Sequence, residues 1–290
     1  MPTSPPPPKP PATARRAYAL LALGFSLLVL SQTRWGLPLL AWFAPAPLLA
    51  ALRARPGWRF RAAFAGLSML AWTAVTLKII TAPIPAIFSF AYGIPIALVH
   101  LPAYLLWDRL ARRGRDGVAL LAFAATSALG EWAQAELTPA GVWGAAPTTQ
   151  IGQLAVLQLL ALVGMPGLSF LLHLVPATLE AAWAGRVRRG AVAAMATAVV
   201  AALTWGALRA ARPLPGPEVR AAAIRTDSTF GGLPLPSPEE RRRIDDALFR
   251  RTAAAAAGAR LVVWTEAATL VLPDEERAFV NEVANLARTH

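Results

Sequence analysis

The sequence has no cysteine, few charged residues, and little histidine or lysine. Only 15% of its 290 residues are charged and 56% are hydrophobic, whereas an ordinary soluble domain is about 25% charged. Without cysteine, these residues can form no disulfide, no thiolate zinc site and no cysteine nucleophile. The three histidines, His100, His173 and His290, lie far apart and lack the local spacing of metal ligands. We therefore expect neither a bound metal nor a cofactor.

The net charge of +12 comes entirely from residues 1–209. That part contains 17 basic and 5 acidic residues, whereas residues 210–290 contain 11 of each. A nucleic-acid-binding module would carry its basic residues on one face of a folded domain, but here they lie between apolar runs. The pattern indicates membrane topology, and we expect no nucleic-acid partner.

Seven apolar stretches are predicted to be membrane-spanning helices, because a span needs roughly 20 apolar residues and polar ends can complete the shorter ones. Residues 154–162 are also apolar, but Gly164, Pro166 and Gly167 follow and indicate an interfacial or re-entrant segment. Residues 1–16 are predicted to be a disordered, proline-rich tail. The predicted spans are 17–33, 36–52, 62–80, 86–107, 117–136, 163–183 and 190–209.

Basic residues are concentrated in alternate connections between these spans. The connections on one side, with the N-terminal tail, hold 14 basic residues, and the opposite connections hold Arg34 and Lys78. By the positive-inside rule, the N-terminus is cytoplasmic and the chain after about residue 210 lies on the other side of the membrane. Alternatively, the first span is a signal peptide, which would leave six spans and the same outside region.

The composition changes at residue 210. Residues 210–217 are predicted to be a proline-rich linker, and residues 218–290 have a strand-helix-strand-helix pattern that predicts an α/β domain with neighbouring parallel strands. The first of these helices begins with Ser237-Pro238-Glu239-Glu240, a typical capped start. Two strands cannot bury both faces of such a sheet, so we expect only part of a domain.

Few polar residues lie where they could take part in a reaction or bind a ligand. Glu266 follows a predicted strand, at the end where parallel sheets form their crevice, although it could also be a solvated capping residue. Glu131 and Glu136, near the outer end of the fifth span, are either functional or reach the interface. His100 and His173 lie within predicted spans without an acidic partner in register, which favours hydrogen bonds between helices over a proton relay.

The tryptophans near the predicted span ends are typical of an aromatic belt at the membrane surface. One of them, Trp143, lies in an outside loop and could instead contact lipid acyl chains. The five tryptophans are Trp35, Trp42, Trp107, Trp132 and Trp143.

Several segments together carry a resemblance to a known family. Val262-Val263-Trp264-Thr265-Glu266-Ala267-Ala268 resembles the glutamate motif of the nitrilase, or carbon–nitrogen hydrolase, superfamily. Membrane spans followed by an outside domain with this motif are similar to the apolipoprotein N-acyltransferase family. The membrane part adds similar segments at residues 35–42, 44–48, 131–132, 141–144 and 158–171, of which Gly164-Met165-Pro166-Gly167-Leu168-Ser169-Phe170 is the most specific.

The resemblance implies a fold, a location and a reaction. It implies an αββα nitrilase-like sandwich outside a bacterial inner membrane, in a monomer. A phospholipid would donate an acyl chain to a cysteine as a thioester, and the acyl chain would then pass to the α-amine of a diacylated lipoprotein. Of the family's glutamate base, lysine and cysteine, only the glutamate carries over, onto Glu266, while Trp143 would contact substrate.

The sequence also departs from the family pattern. Thr265 stands where the family usually has proline, and residues 141–144 read Gly-Val-Trp-Gly. The only lysines, Lys9 and Lys78, both precede Glu266. We therefore expect these 290 residues to be the front part of an acyltransferase and inactive alone. The alternatives are a membrane-bound amidase of unknown substrate and a non-catalytic membrane scaffold.

Overall fold

The computed structural model describes residues 12–80, 84–213, 216–226 and 235–289. These residues form two compact units. The helical unit contains the helices before residue 213, and the α/β unit contains the strands and helices after it.

Nine α-helices make up the described part of the helical unit. Five of them are long and apolar enough to cross a membrane, namely α1, α4, α5, α8 and α9. The helix α6 has a comparable length but carries three acidic residues. The helices are α1 (Ala12–Ser31), α2 (Pro38–Ala41), α3 (Pro45–Ala54), α4 (Trp58–Leu77), α5 (Phe88–Arg112), α6 (Asp116–Leu137), α7 (Leu154–Leu157), α8 (Leu160–Trp183) and α9 (Arg189–Ala210).

Two of the predicted boundaries differ from the structure. The single helix predicted at 36–52 is instead divided into α2 and α3, each of which begins with a proline, Pro38 and Pro45. Proline is favoured at the first position of a helix and disfavoured inside one. Residues 12–16, predicted to be part of the tail, lie in α1, and residues 1–11 of that prediction fall outside the described residues.

The interruption predicted before the sixth span has a clear structural cause. Gly164 has a φ of 61° and a ψ of −174°, a conformation that side chains rarely adopt, and it kinks α8. The short helix α7 precedes this kink and contacts α9. A Cβ atom on Gly206 of α9 would lie 1.9 Å from the Ala155 carbonyl oxygen, so only glycine permits this close approach.

Large apolar side chains from several helices fill the main core of the helical unit. Aromatic residues of α4, α5 and α6 pack against leucines of α1 and α3. Phe64, Tyr104 and Phe123 form a continuous chain of ring contacts through this core. The largest fully buried members are Leu21, Leu48, Leu49, Leu52, Phe64, Trp107 and Phe123.

The α/β unit has the order and pairing that the sequence predicts. Strand β1 (Ala221–Ile224) pairs in parallel with β2 (Leu261–Trp264). Helix α10 (Pro238–Ala256) connects them, and α11 (Glu276–Thr289) follows. Ser237 caps α10 by accepting a hydrogen bond from the Glu240 amide at 3.2 Å. Ile224, Leu248 and Ala268 form a small core, whereas no residue of α11 is buried.

Candidate functional site

Glu266 lies in a turn at the carboxyl end of β2 and is exposed. The Thr265 amide donates to the Ile224 carbonyl oxygen at 3.1 Å, which extends the pairing of the two strands by one residue. The turn then closes with a bond from the Ala268 amide to the Thr265 carbonyl oxygen at 3.2 Å. The carboxylate is therefore presented to solvent from a fixed backbone.

The residue after Glu266 has a strained backbone. Ala267 has a φ of 53°, in the left-handed region that costs a non-glycine residue roughly 1–2 kcal/mol. Such strain is found preferentially at functional sites, where the surrounding structure maintains it. Ala267 keeps this conformation within the turn that presents Glu266.

Two side-chain hydrogen bonds hold the turn against the rest of the α/β unit. The Thr226 hydroxyl donates to the Ala268 carbonyl oxygen at 2.8 Å, and the Thr269 hydroxyl donates to the Asp245 carboxylate of α10. Burial raises the pKa of the Asp245 carboxyl. These contacts fix both β1 and α10 to the segment that presents Glu266.

The other predicted site residue, Trp143, belongs to the helical unit. Its side chain is 42% exposed and contacts the Tyr92 ring at 5.1 Å between centroids. The Gln134 side chain donates to the carbonyl oxygens of Gly141 and Trp143, at 2.9 and 2.6 Å. Trp143 is thus a partly exposed aromatic residue on a loop that is tied to α6.

The two acids considered near the outer end of the fifth span have different environments. Glu136 is exposed at the end of α6, whereas Glu131 is buried within the helical unit. Glu131 Oε1 lies 3.6 Å from His173 Nε2 and 3.9 Å from His100 Nδ1. The expectation that the two histidines lack an acidic partner is therefore wrong, because α5, α6 and α8 bring them to the same carboxylate.

These three side chains are the group among the described residues that could hold a metal ion, since each offers one ligand atom and the atoms lie within 4.8 Å of one another. No local sequence pattern predicts this group, because its members are separated by long stretches of chain.

A network of ion pairs joins the ends of five helices. Arg53 binds both carboxylate oxygens of Glu180, at 2.6 and 2.9 Å, and also lies 2.9 Å from Asp116. Nearby, Asp108 pairs with Arg61 at 2.6 Å and with Arg112 at 2.7 Å. These contacts bring the connections after α3, α5 and α8 to one end of the helical unit. Sequence reasoning identified these connections as basic but missed the carboxylates that pair with them.

The tryptophans of the predicted aromatic belt differ in their exposure. Trp35, between α1 and α2, and Trp132, within α6, are exposed, but Trp107 is fully buried and Trp42 almost so. The Arg53 guanidinium lies 5.0 Å from the centre of the Trp107 ring, beneath the ion-pair network. The Trp42 indole donates to the Gln150 side chain at 3.2 Å. Both side chains therefore pack inside the helical unit and are not available at its surface.

Comparison with known proteins identifies similar sequences over both units. Residues 25–178 match the family described as apolipoprotein N-acyltransferase N-terminal domain. The apolipoprotein N-acyltransferase of Geobacter metallireducens is 29% identical over 299 residues, which cover 96% of this chain and 56% of that protein. The chain thus spans about half the length of this curated relative. Trp143 and the Glu131 group lie in the family match, and Glu266 lies after it.

Proposed function

Because the chain belongs to the apolipoprotein N-acyltransferase family, we propose that it supplies the membrane part and the general base of a lipoprotein N-acyltransferase. The observation that carries this proposal is the position of Glu266, on a strained turn at the carboxyl end of a parallel strand, in a chain whose preceding residues match the family. A carboxylate in this position can accept a proton from a nucleophile placed beside it.

The proposed reaction has two steps, and Glu266 serves in both. In the first, the Glu266 carboxylate takes the proton of a cysteine thiol, and the thiolate attacks the ester carbonyl of a phospholipid. The carbon–oxygen bond of the ester breaks, the leaving alcohol takes the proton from Glu266, and a thioester remains. In the second, the α-amine of a diacylated lipoprotein attacks the thioester, Glu266 accepts the amine proton, and the thiolate leaves.

This chemistry needs two groups that these 290 residues do not contain after Glu266. There is no cysteine, and the two lysines are Lys9 and Lys78. A cation is required to stabilise the negative charge on the tetrahedral intermediate. We therefore propose that a cysteine and a lysine from outside these residues complete the site, and that the 290 residues alone do not form a thioester.

The helical unit supports a lipid substrate. Its five long apolar helices fit a protein that takes its acyl donor from a bilayer. We propose seven membrane crossings, with α2 and α3 together forming the second and α6 the fifth. The N-terminus would be cytoplasmic and the α/β unit outside a bacterial inner membrane. The ion-pair network supports this topology, since it joins three predicted cytoplasmic connections at one end.

Acyl transfer by the protein expressed from its own gene tests the proposed function. The purified protein would be incubated with a phospholipid labelled in its acyl chains and with a diacylated lipopeptide. We expect labelled triacylated lipopeptide and a protein-bound label that hydroxylamine removes. Release of ammonia from amides without acyl transfer would favour the amidase alternative, and the absence of both activities would favour the scaffold.

The absence of native cysteine allows a direct test of the topology. Single-cysteine variants of the 290-residue chain would carry the cysteine at Arg113, at Pro139 or at Glu282, all of which are exposed. In spheroplasts, a membrane-impermeant maleimide is expected to label Pro139→Cys and Glu282→Cys at once, but Arg113→Cys only after lysis. Labelling of Arg113→Cys in intact spheroplasts would contradict the proposed orientation.

A further inference from the structure

Three buried side chains in the helical unit direct potential metal ligands at one point. His100 is on α5, Glu131 on α6 and His173 on α8, and their side chains are 8%, 4% and 9% exposed. Glu131 Oε1 lies 3.6 Å from His173 Nε2 and 3.9 Å from His100 Nδ1. Buried carboxylates and imidazoles converge in this way when they share a cation or a proton.

The hydrogen bonds of the group define which atoms face the centre. His173 Nδ1 lies 2.9 Å from the Ser169 carbonyl oxygen, which can only accept, so Nδ1 carries a hydrogen. In the neutral ring, His173 Nε2 therefore has a free lone pair and faces the lone pairs of Glu131 Oε1. Two acceptors in this arrangement repel each other unless a positive charge lies between them. Glu131 Oε1 has no hydrogen-bond donor among the described residues.

The surroundings resemble the outer shell of a metal site. A metal-binding histidine usually donates its second ring hydrogen to a carbonyl or carboxylate oxygen, and a metal-binding carboxylate is itself hydrogen-bonded. Here His173 donates to the Ser169 carbonyl oxygen, and the Ser169 hydroxyl donates to Glu131 Oε2 at 2.5 Å. The Trp72 ring stacks on His100 at 4.8 Å, and the Phe123 ring packs edge-on against His173 at 5.7 Å. Both imidazoles are thus restrained by packing.

The dimensions suit a small divalent ion. Ligand atoms of tetrahedral zinc lie on the order of 3.3 Å apart, since the bonds are about 2.0–2.1 Å long. The two distances to Glu131, 3.6 and 3.9 Å, and the 4.8 Å within which all three ligand atoms lie, therefore require side-chain movements of up to about 1.5 Å to close around an ion. The three residues line a cavity of about 30 Å³, enough for a water molecule as a fourth ligand.

We propose that His100, Glu131 and His173 bind one divalent transition-metal ion, with zinc the best fit to two imidazoles and one carboxylate. This donor set does not suit Mg²⁺ or Ca²⁺, which prefer oxygen ligands. The ion would connect α5, α6 and α8, and its binding free energy would stabilise the helical unit. This proposal does not depend on acyl transfer.

Metal content and metal titration of the full 290-residue chain test the proposal. The chain would be purified in detergent without chelators, with an affinity tag that contains no histidine, and its metals measured by mass spectrometry. We expect about one zinc per chain, as for a single structural site. After the metal is removed with a chelator, Co²⁺ is expected to restore binding and to give visible absorption bands, while the melting temperature falls on removal and recovers on addition of Zn²⁺.

Variants locate the site. His173→Gln and Glu131→Gln are expected to abolish the cobalt bands, and Ser169→Ala, which removes an outer hydrogen bond, is expected to weaken Co²⁺ binding about 10- to 100-fold. His290→Gln, at the histidine outside the group, is the control and should bind Co²⁺ like the unaltered chain.

The proposal would be overturned if the unaltered, folded chain carried no metal and showed no cobalt bands. Its melting temperature would then be the same with and without chelator. In that case, a shared proton between His173 and Glu131 would explain their contact. The measurements on the unaltered chain decide the matter even if a variant fails to fold.

Discussion

Replacement of Glu266 by glutamine is expected to lower acyl transfer by about 10²- to 10⁴-fold, the usual contribution of a general base. The change preserves the size of the side chain and its exposed position in the turn after β2. It removes the carboxylate that would accept the proton of the thiol and later of the amine. The measurement is the rate of thioester formation from labelled phospholipid by the protein expressed from its own gene.

A matched substitution separates this effect from a general loss of negative charge. Glu282 on α11 is also exposed. Glu282→Gln makes the same chemical change, from carboxylate to amide, at a position that is not at the end of β2. It is expected to leave the rate within about twofold, as most exposed substitutions have small effects. If the Glu266→Gln protein formed the thioester at a rate close to that of the unaltered protein, Glu266 would not be the base.

The second large effect is expected at Arg53, the centre of the ion-pair network. Arg53→Ala would leave Glu180, which is 2% exposed, and Asp116, which is 12% exposed, without their shared cation. The loss of one partner from a buried ion pair costs about 3–5 kcal/mol. We expect a decrease of this size in the free energy of unfolding of the helical unit, measured by denaturant titration in detergent.

Two further variants test the cause of that decrease. Arg113 is an exposed arginine near the same end of the helical unit, and Arg113→Ala should change the free energy of unfolding by less than about 0.5 kcal/mol. The double variant Arg53→Met, Glu180→Met removes one buried carboxylate together with its partner and should be more stable than Arg53→Ala. A decrease for Arg53→Ala no larger than for Arg113→Ala would mean that the network contributes little.

The positions of the helices follow from the sequence because charged residues limit the apolar runs. Helices occur at every predicted span, and α8 begins near the predicted interruption at Gly164. The prediction of one regular helix for the second span was wrong, because a new helix begins at Pro45. The parallel pairing of β1 and β2 was also predicted, since a helix between two strands favours a parallel arrangement.

The contacts inside the helical unit could not be predicted in the same way. His100, Glu131 and His173 meet because three helices pack together, and a 3.6-residue period does not determine which helices are neighbours. The same limit explains Trp107, which was predicted to lie at the membrane surface but is buried beneath Arg53. Glu266 was identified from its position after a strand, whereas the strain at Ala267 became visible only in the structure.

The most direct test of the proposed acyltransferase is the intact mass of the protein expressed from its own gene, before and after incubation with phospholipid. The proposal predicts a mass clearly above the 30.7 kDa of these 290 residues, because a lysine and a cysteine must be added. It also predicts a further gain of one acyl chain that hydroxylamine removes. A mass of 30.7 kDa that does not change on incubation would contradict it.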